Sequence, residues 1–183
     1  MNTLLHRSIV KWLHWLSAFI ILYFFAVEPH LPELGSNAAK TAAMATHAGM
    51  GAVLGIVVLL WTGLFALRGS AGKAGPKLQG LARSSYGVLN ISLYYALPLM
   101  VLTGLATGLA APFLILGFGL IPLNLEGIGS PQLMAIAEDI HEIAFDGLLI
   151  LIVAHSGFHL WRHFRLKDNA LRLILPSALH RYL

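Results

Sequence analysis

The sequence predicts an all-α membrane protein, a bundle of four transmembrane helices with both termini in the cytoplasm. Four apolar stretches are each close to the roughly 20 residues that cross a bilayer. Of the 183 residues, 57% are hydrophobic and 11% are charged, whereas a soluble domain carries roughly a quarter charged residues. A chain of this size has too much surface to hide the excess apolar side chains in a core. We therefore expect one membrane domain over residues 1–183.

The four predicted helices are separated by segments of loop composition. The helices cover approximately residues 9–27, 43–67, 86–111 and 140–161. The first is too long and too aromatic for a cleaved signal peptide, and the third contains Pro98, which is expected to kink it. Between the third and fourth helices, residues 112–131 begin with an apolar part too short to span, which either lies in the interface or caps the bundle. A short amphipathic segment, Ala170–Leu175, follows the last helix.

Basic side chains set the orientation, because eleven of the 12 fall on one side of the predicted bundle. They are Arg7, Lys11, Arg68, Lys73, Lys77, Arg83, Arg162, Arg165, Lys167, Arg172 and Arg181. The opposite side holds Lys40 and most of the acidic residues. Since lysine and arginine are retained on the cytoplasmic side, that side carries both termini. Three or five helices would scatter the basic residues, so the same pattern supports a count of four.

The absence of cysteine and the number of histidines limit which metal and cofactor sites this chain can form. With no cysteine, the chain cannot form disulfides, thiolate metal sites, iron–sulfur clusters or covalent c-type haem attachments. It has nine histidines, and six of them lie in or near the predicted helices, where ionisable residues are costly and usually functional. These six histidines are therefore the candidate functional residues.

The depths of the histidines predict one pair on each side of the membrane. On the outer side His47 can meet His141, and on the inner side His14 can meet His155 or His159. His141 and His155 are fourteen residues apart, which puts them within about 40° on one helix face and about 21 Å apart along the axis. That spacing leaves room for two stacked haems, each held by a pair of imidazoles. Iron bound by two histidines has no open coordination position, which suits it to electron transfer.

Two alternatives compete with the haem hypothesis. A histidine in a membrane helix can hydrogen-bond a neighbouring helix. The chain can also be a haem-free, histidine-rich metal-binding protein, because imidazole binds zinc, copper, iron and nickel. Histidine pairs alone are too few ligands for a closed zinc site. Carboxylates that could complete such a site lie near His141, namely Glu138, Asp139, Glu142 and Asp146.

Short motifs around these histidines resemble the bacterial cytochrome b561 family, which includes the di-haem b subunits of nickel–iron hydrogenases. They are HW at His14, THAGMG around His47, IHE around His141, and AHSGFHLWRHFRLKDNALRLILP from Ala154 to Pro176. The resemblance spans the whole chain in length, topology and order. It implies two b haems, the inner one held by His14 and His155 and the outer one by His47 and His141. It thereby selects His155 over His159.

The resemblance also implies an activity. Free-standing members of the family resemble a superoxide oxidase, an oxidoreductase of the bacterial inner membrane that passes electrons from periplasmic superoxide to ubiquinone. Arg162, His159 and Lys77 are then the quinone-site candidates. The chain departs from those members in having Arg162-His163 in place of a histidine pair and Trp61 in place of an arginine.

A second activity keeps the haems but makes the chain the membrane subunit of a complex. Electrons then pass between a partner dehydrogenase and quinone. The expected partners are thus the lipid bilayer, a quinone and a redox partner protein, and no nucleic acid. The single cation at the outer side, Lys40, argues mildly against an anionic donor such as superoxide.

Overall fold

Four long helices make up most of the protein in the computed structural model, which describes residues 3–27, 36–69, 75, 77–168 and 170–175. They are α1 (Thr3–Val27), α2 (Asn37–Arg68), α3 (Gly80–Ala110) and α4 (Pro131–Trp161). Each contains a stretch long and apolar enough to cross a membrane. The predicted fold class, an all-α membrane protein with four spanning helices, is confirmed. Among the residues singled out in the sequence, several lie outside the described ones: His30, Lys73, Pro176, His180 and Arg181.

All four helices begin earlier than the apolar pattern predicts, at residues 3, 37, 80 and 131 rather than 9, 43, 86 and 140. The prediction counted only the turns that lipid surrounds, whereas polar turns extend the helices beyond the apolar stretch. Caps fix two of the new starts. The Ser36 hydroxyl accepts a hydrogen bond from Ala39 N, and the Ser130 hydroxyl accepts one from Leu133 N, both at 3.2 Å. Pro131 occupies the first turn of α4, where its missing N–H costs nothing.

The helices pack around a narrow aliphatic core at mid-height. All four contribute to it, with Ile20, Ile21, Phe24, Leu54, Val58, Met100 and Leu148. Many large apolar side chains face outward instead, as Leu59 and Ile150 do with 73% and 70% of their surface exposed. Such an outward apolar surface fits a bundle whose solvent is lipid. The functional side chains therefore lie at the two ends of the core.

The segment between α3 and α4 caps one end of the bundle, which decides between the two predicted positions for it. It forms a short antiparallel hairpin of β1 (Leu116–Gly117) and β2 (Ile121–Pro122). In the turn Phe118 has a φ of 53°, a left-handed conformation that is costly for a bulky residue. Two contacts hold it there: Phe118 N–H donates to Ala45 O at 2.8 Å, and its ring packs so closely on Gly49 that a Cβ there would lie 2.6 Å from the ring.

The other end of the bundle is closed by the chain after α4. A π-helical turn, Arg162–Leu166, continues α4, and a short helix α5 covers Ala170–Ile174. The predicted amphipathic segment is thus helical. The indole Nε1–H of Trp15 in α1 donates to Ile174 O at 2.8 Å. This hydrogen bond ties the end of the described chain to the first helix.

Candidate functional site

Four histidines from three helices form two pairs at opposite ends of the core. The ring centroids of His14 and His155 are 6.5 Å apart, and those of His47 and His141 are 6.2 Å apart. All four side chains are partly buried. We call the two ends the His14 end and the His47 end. Buried Leu148 lies on α4 midway between its two histidines, which are about 21 Å apart along the helix axis.

The separation within each pair fits one metal atom bound from both sides. Metal–imidazole bonds are about 2 Å long, and the centre of an imidazole ring lies about 1 Å beyond its ligating nitrogen, so two opposed ligands have centroids about 6 Å apart. Both observed separations, 6.5 Å and 6.2 Å, are close to that value. Two opposed imidazoles leave the remaining coordination positions for a macrocycle, which is the arrangement of a bis-histidine b haem.

The described residues fit a closed zinc site less well than a haem site. Within the described ranges, no group of three or more histidine, aspartate or glutamate side chains could hold a metal ion. The carboxylates predicted as alternative ligands, Glu138, Asp139, Glu142 and Asp146, are all exposed. The donor set at each end is therefore a pair of imidazoles, and the haem fits it better than a bare divalent metal does.

His141 has a hydrogen-bond partner on a neighbouring helix. Its Nδ1 lies 3.0 Å from Thr103 Oγ1 on α3. The Thr103 hydroxyl also lies 3.0 Å from Met100 O, to which it can donate its one hydrogen, and in that arrangement it accepts from His141 Nδ1–H. In that tautomer the lone pair lies on Nε2, which is the nitrogen able to bind a metal. Metal-binding histidines usually donate their other N–H to a partner of this kind.

Gly104, which follows Thr103, leaves the space in which the His141 ring packs against α3. A Cβ built on Gly104 would lie 2.8 Å from His141 Cε1, closer than carbon atoms pack. Only glycine lets the His141 ring approach α3 this closely. The sequence motifs identify neither Thr103 nor Gly104, because their role depends on which face of α3 meets α4.

Aromatic side chains surround the histidines at both ends. The ring of buried Phe24 lies 4.7 Å from that of His47, between centroids. At the other end, the His14 ring has Trp15 at 5.7 Å and Trp61 at 6.0 Å, both edge-on at 80°. These rings reduce the access of water, and the hydrophobic shell of a haem is one of the factors that set its potential.

The three quinone-site candidates lie near the His14 end, in different surroundings. His159 is buried, and its ring is 4.5 Å from that of His155 on the same helix. Arg162 is 1% exposed and binds Asp168, with Nη2 2.7 Å and Nε 2.9 Å from Oδ2. Its guanidinium also lies 5.2 Å from the centre of the Tyr86 ring. This buried pair anchors the chain after α4.

Lys77 is exposed and holds the same segment from the loop before α3. Its ammonium donates to Leu166 O at 3.2 Å and to Lys167 O at 2.8 Å. These carbonyls end the π-helical turn, where a positive charge is favourable. Lys77 and Arg162 thus both stabilise the closure of the His14 end, and a role in quinone binding stays a prediction for each.

Comparison with known protein families gives a match over almost the whole chain. The family model described as prokaryotic cytochrome b561 matches residues 5–177. No curated protein matches the chain. Because the family match covers nearly all of the chain and the four spanning helices, the protein is a bacterial multi-pass membrane protein that binds b-type haem and takes part in transmembrane electron transfer. The chain belongs to the prokaryotic cytochrome b561 family.

Proposed function

We propose that the chain is a single-domain, di-haem electron conduit from periplasmic superoxide to ubiquinone. His14 and His155 would hold an inner haem b, and His47 and His141 would hold an outer one. The observation that carries the proposal is the pairing itself: two imidazole pairs, with centroids 6.5 Å and 6.2 Å apart, at the two ends of one apolar core. When bound there, b haems would supply one-electron transfer between the two ends.

The proposed orientation has both termini in the cytoplasm, which makes the His47 end the periplasmic one. Its support is the charge distribution, because eleven of the 12 basic residues lie on the other side and basic loops remain cytoplasmic. Superoxide then meets the outer haem first, and ubiquinone accepts electrons at the His14 end. Two superoxide anions lose one electron each and leave as dioxygen. Ubiquinone takes the two electrons with two protons and becomes ubiquinol.

Protein residues shape the route between the ends. Leu148 and its packed neighbours Ile20, Leu54 and Met100 fill the space between the pairs, which excludes water and keeps protons out of the path. At the inner end His159 is the candidate best situated to meet a quinone headgroup, because it is next to His155 and its Nδ1 has no hydrogen-bond partner among the described residues. Arg162 and Lys77 contribute by holding the surrounding segment in place.

Reconstituted vesicles test this function. The purified protein is inserted in vesicles that contain ubiquinone, superoxide is generated outside with xanthine oxidase, and ubiquinol is measured. We expect ubiquinol formation that superoxide dismutase abolishes and that His47→Ala, which lacks an outer ligand, does not support. If superoxide failed to reduce the haems of a protein that retains both of them, superoxide could not be the electron donor.

A second function rests on the charge of the periplasmic end. Exposed carboxylates at the start of α4 and a single cation, Lys40, make that end unfavourable for an anion. They favour a protein donor with a basic surface, for which the chain is the membrane subunit. Reduction of the haems by a co-purifying dehydrogenase, with no reduction by superoxide, would favour this second function over the first.

A further inference from the structure

One side chain of α3 is placed to control His141, although α3 contains no histidine. Thr103 Oγ1 is 3.0 Å from His141 Nδ1, a separation typical of a hydrogen bond. The two residues are 38 positions apart in the chain, so the contact exists only because α3 packs against α4. All four histidines of the two pairs come from α1, α2 or α4. Through Thr103, the third long helix enters the site.

The direction of this hydrogen bond is tied to a second contact of the hydroxyl. Thr103 Oγ1 also lies 3.0 Å from Met100 O in its own helix, to which it donates. A hydroxyl has one hydrogen and two lone pairs. When His141 binds iron through Nε2, its hydrogen lies on Nδ1 and is donated to Thr103 Oγ1, and the hydroxyl hydrogen then goes to Met100 O. The hydroxyl, held by Met100 O on one side, thereby orients the His141 ring on the other.

We infer that Thr103 is a positioning residue that orients His141 and lowers the reduction potential of the outer haem. The inference rests on the proposed function, in which His141 is an iron ligand. An acceptor at Nδ1–H draws the hydrogen outward and raises the electron density of the ring. The imidazole becomes a stronger donor and stabilises ferric iron relative to ferrous iron. The potential of the outer haem is thereby lower than the same ligand pair would give without Thr103.

The same contact also affects how firmly the outer haem is held. Loss of a partner that orients a metal ligand typically weakens metal binding about 10–100-fold. Thr103→Val keeps the shape of the side chain and removes its hydroxyl. Thr103→Ser keeps the hydroxyl and removes a methyl group. Thr107→Val is a matched control, because Thr107 lies one turn further along α3 and donates to Thr103 O at 3.0 Å.

Redox titration of the purified holoprotein tests the inference, with the outer haem identified by its loss in His47→Ala. In Thr103→Val we expect a higher midpoint potential for the outer haem, an unchanged inner haem and a shifted electron paramagnetic resonance signal of the outer ferric haem. Selective loss of the outer haem in Thr103→Val would also support the inference. Thr103→Ser and Thr107→Val should match the unsubstituted protein in every respect.

Several results would overturn the inference. They are unchanged potentials in a Thr103→Val protein that keeps both haems, an effect of the same size on both haems, or an equal effect of Thr107→Val. Failure of the proposed function is distinguishable from these, because unsubstituted protein without two b haems would reveal it before any variant of Thr103 is made.

Discussion

Replacing Gly104 with alanine should weaken the binding of the outer haem without unfolding the protein. The new Cβ would lie 2.8 Å from His141 Cε1, and 3.4 Å from both ring nitrogens. Carbon atoms pack at about 3.5 Å or more, so the ring must move by about 0.7 Å. Ligand constellations tolerate only about 0.5 Å of displacement. The shift therefore exceeds what bis-histidine coordination allows.

The magnitude follows from two opposing effects. Overpacking costs about 1–3 kcal/mol, which corresponds to a loss of about 5–150-fold in the affinity of the outer haem. Alanine in place of glycine within a helix stabilises by about 0.5–1 kcal/mol. We therefore expect the haem-free Gly104→Ala protein to be about as stable as the unsubstituted one, and its outer site to bind haem less tightly.

Haem retention measures this effect. Gly104→Ala and Gly108→Ala are purified side by side and washed with apomyoglobin, a haem acceptor, and the absorbance of each remaining haem is followed. Gly108 is the matched control, because it lies one turn away on α3 and a Cβ there would meet no side chain of a neighbouring element within 4 Å in the described part of the chain. Faster loss of one haem in Gly104→Ala alone is the expected result. Equal retention in both variants would refute the argument that His141 needs the space above Gly104.

Four further substitutions test other contacts. Arg162→Met leaves Asp168 buried without its partner, so we expect a loss of about 3–5 kcal/mol in the free energy of unfolding. Thermal melting in detergent measures this loss. An unchanged melting temperature together with a raised KM for ubiquinone would instead assign Arg162 to quinone binding. Asn124→Leu removes the three hydrogen bonds that the Asn124 side chain makes between the end of α3 and the cap. The cap should lose about 1–3 kcal/mol of stability for each buried backbone group left unpaired. Limited proteolysis should then cut the chain faster after residue 110. His155→Leu should lose the inner haem whereas His159→Leu keeps it, as pyridine haemochrome counts will reveal; the reverse result would exchange their roles.

The apolar stretches and the depths of the histidines were predictable from the sequence, because the bilayer imposes both. Lipid requires about 20 apolar residues for each crossing and makes a charged or polar side chain inside a span costly. His47 and His141 therefore stand out at one depth, and His14 stands out at another with either His155 or His159. Depth did not separate those two histidines, and the family resemblance selected His155. The structure brings His47 to 6.2 Å from His141 and His14 to 6.5 Å from His155, between ring centroids.

The supporting contacts were not predictable, because they depend on how separate helices pack. Thr103 and His141 are 38 residues apart, and no motif links them. The ion pair between Arg162 and Asp168 needs the π-helical turn that brings the chain back on itself. From the sequence Arg162 therefore resembled an available cation, whereas the structure shows it buried and paired. Helix ends were also missed, since capped polar turns continue beyond the apolar stretch that marks a span.

The central claim is that the two histidine pairs hold two b haems, and the haem content of the detergent-purified protein tests it most directly. Pyridine haemochrome analysis, with chain concentration from amino-acid analysis, gives the number of haems per chain. We predict close to two b haems, with reduced-minus-oxidised spectra of the low-spin type. A folded protein that holds no haem after expression with ample haem would contradict the account, and a value of one would remove one of the two pairs from it.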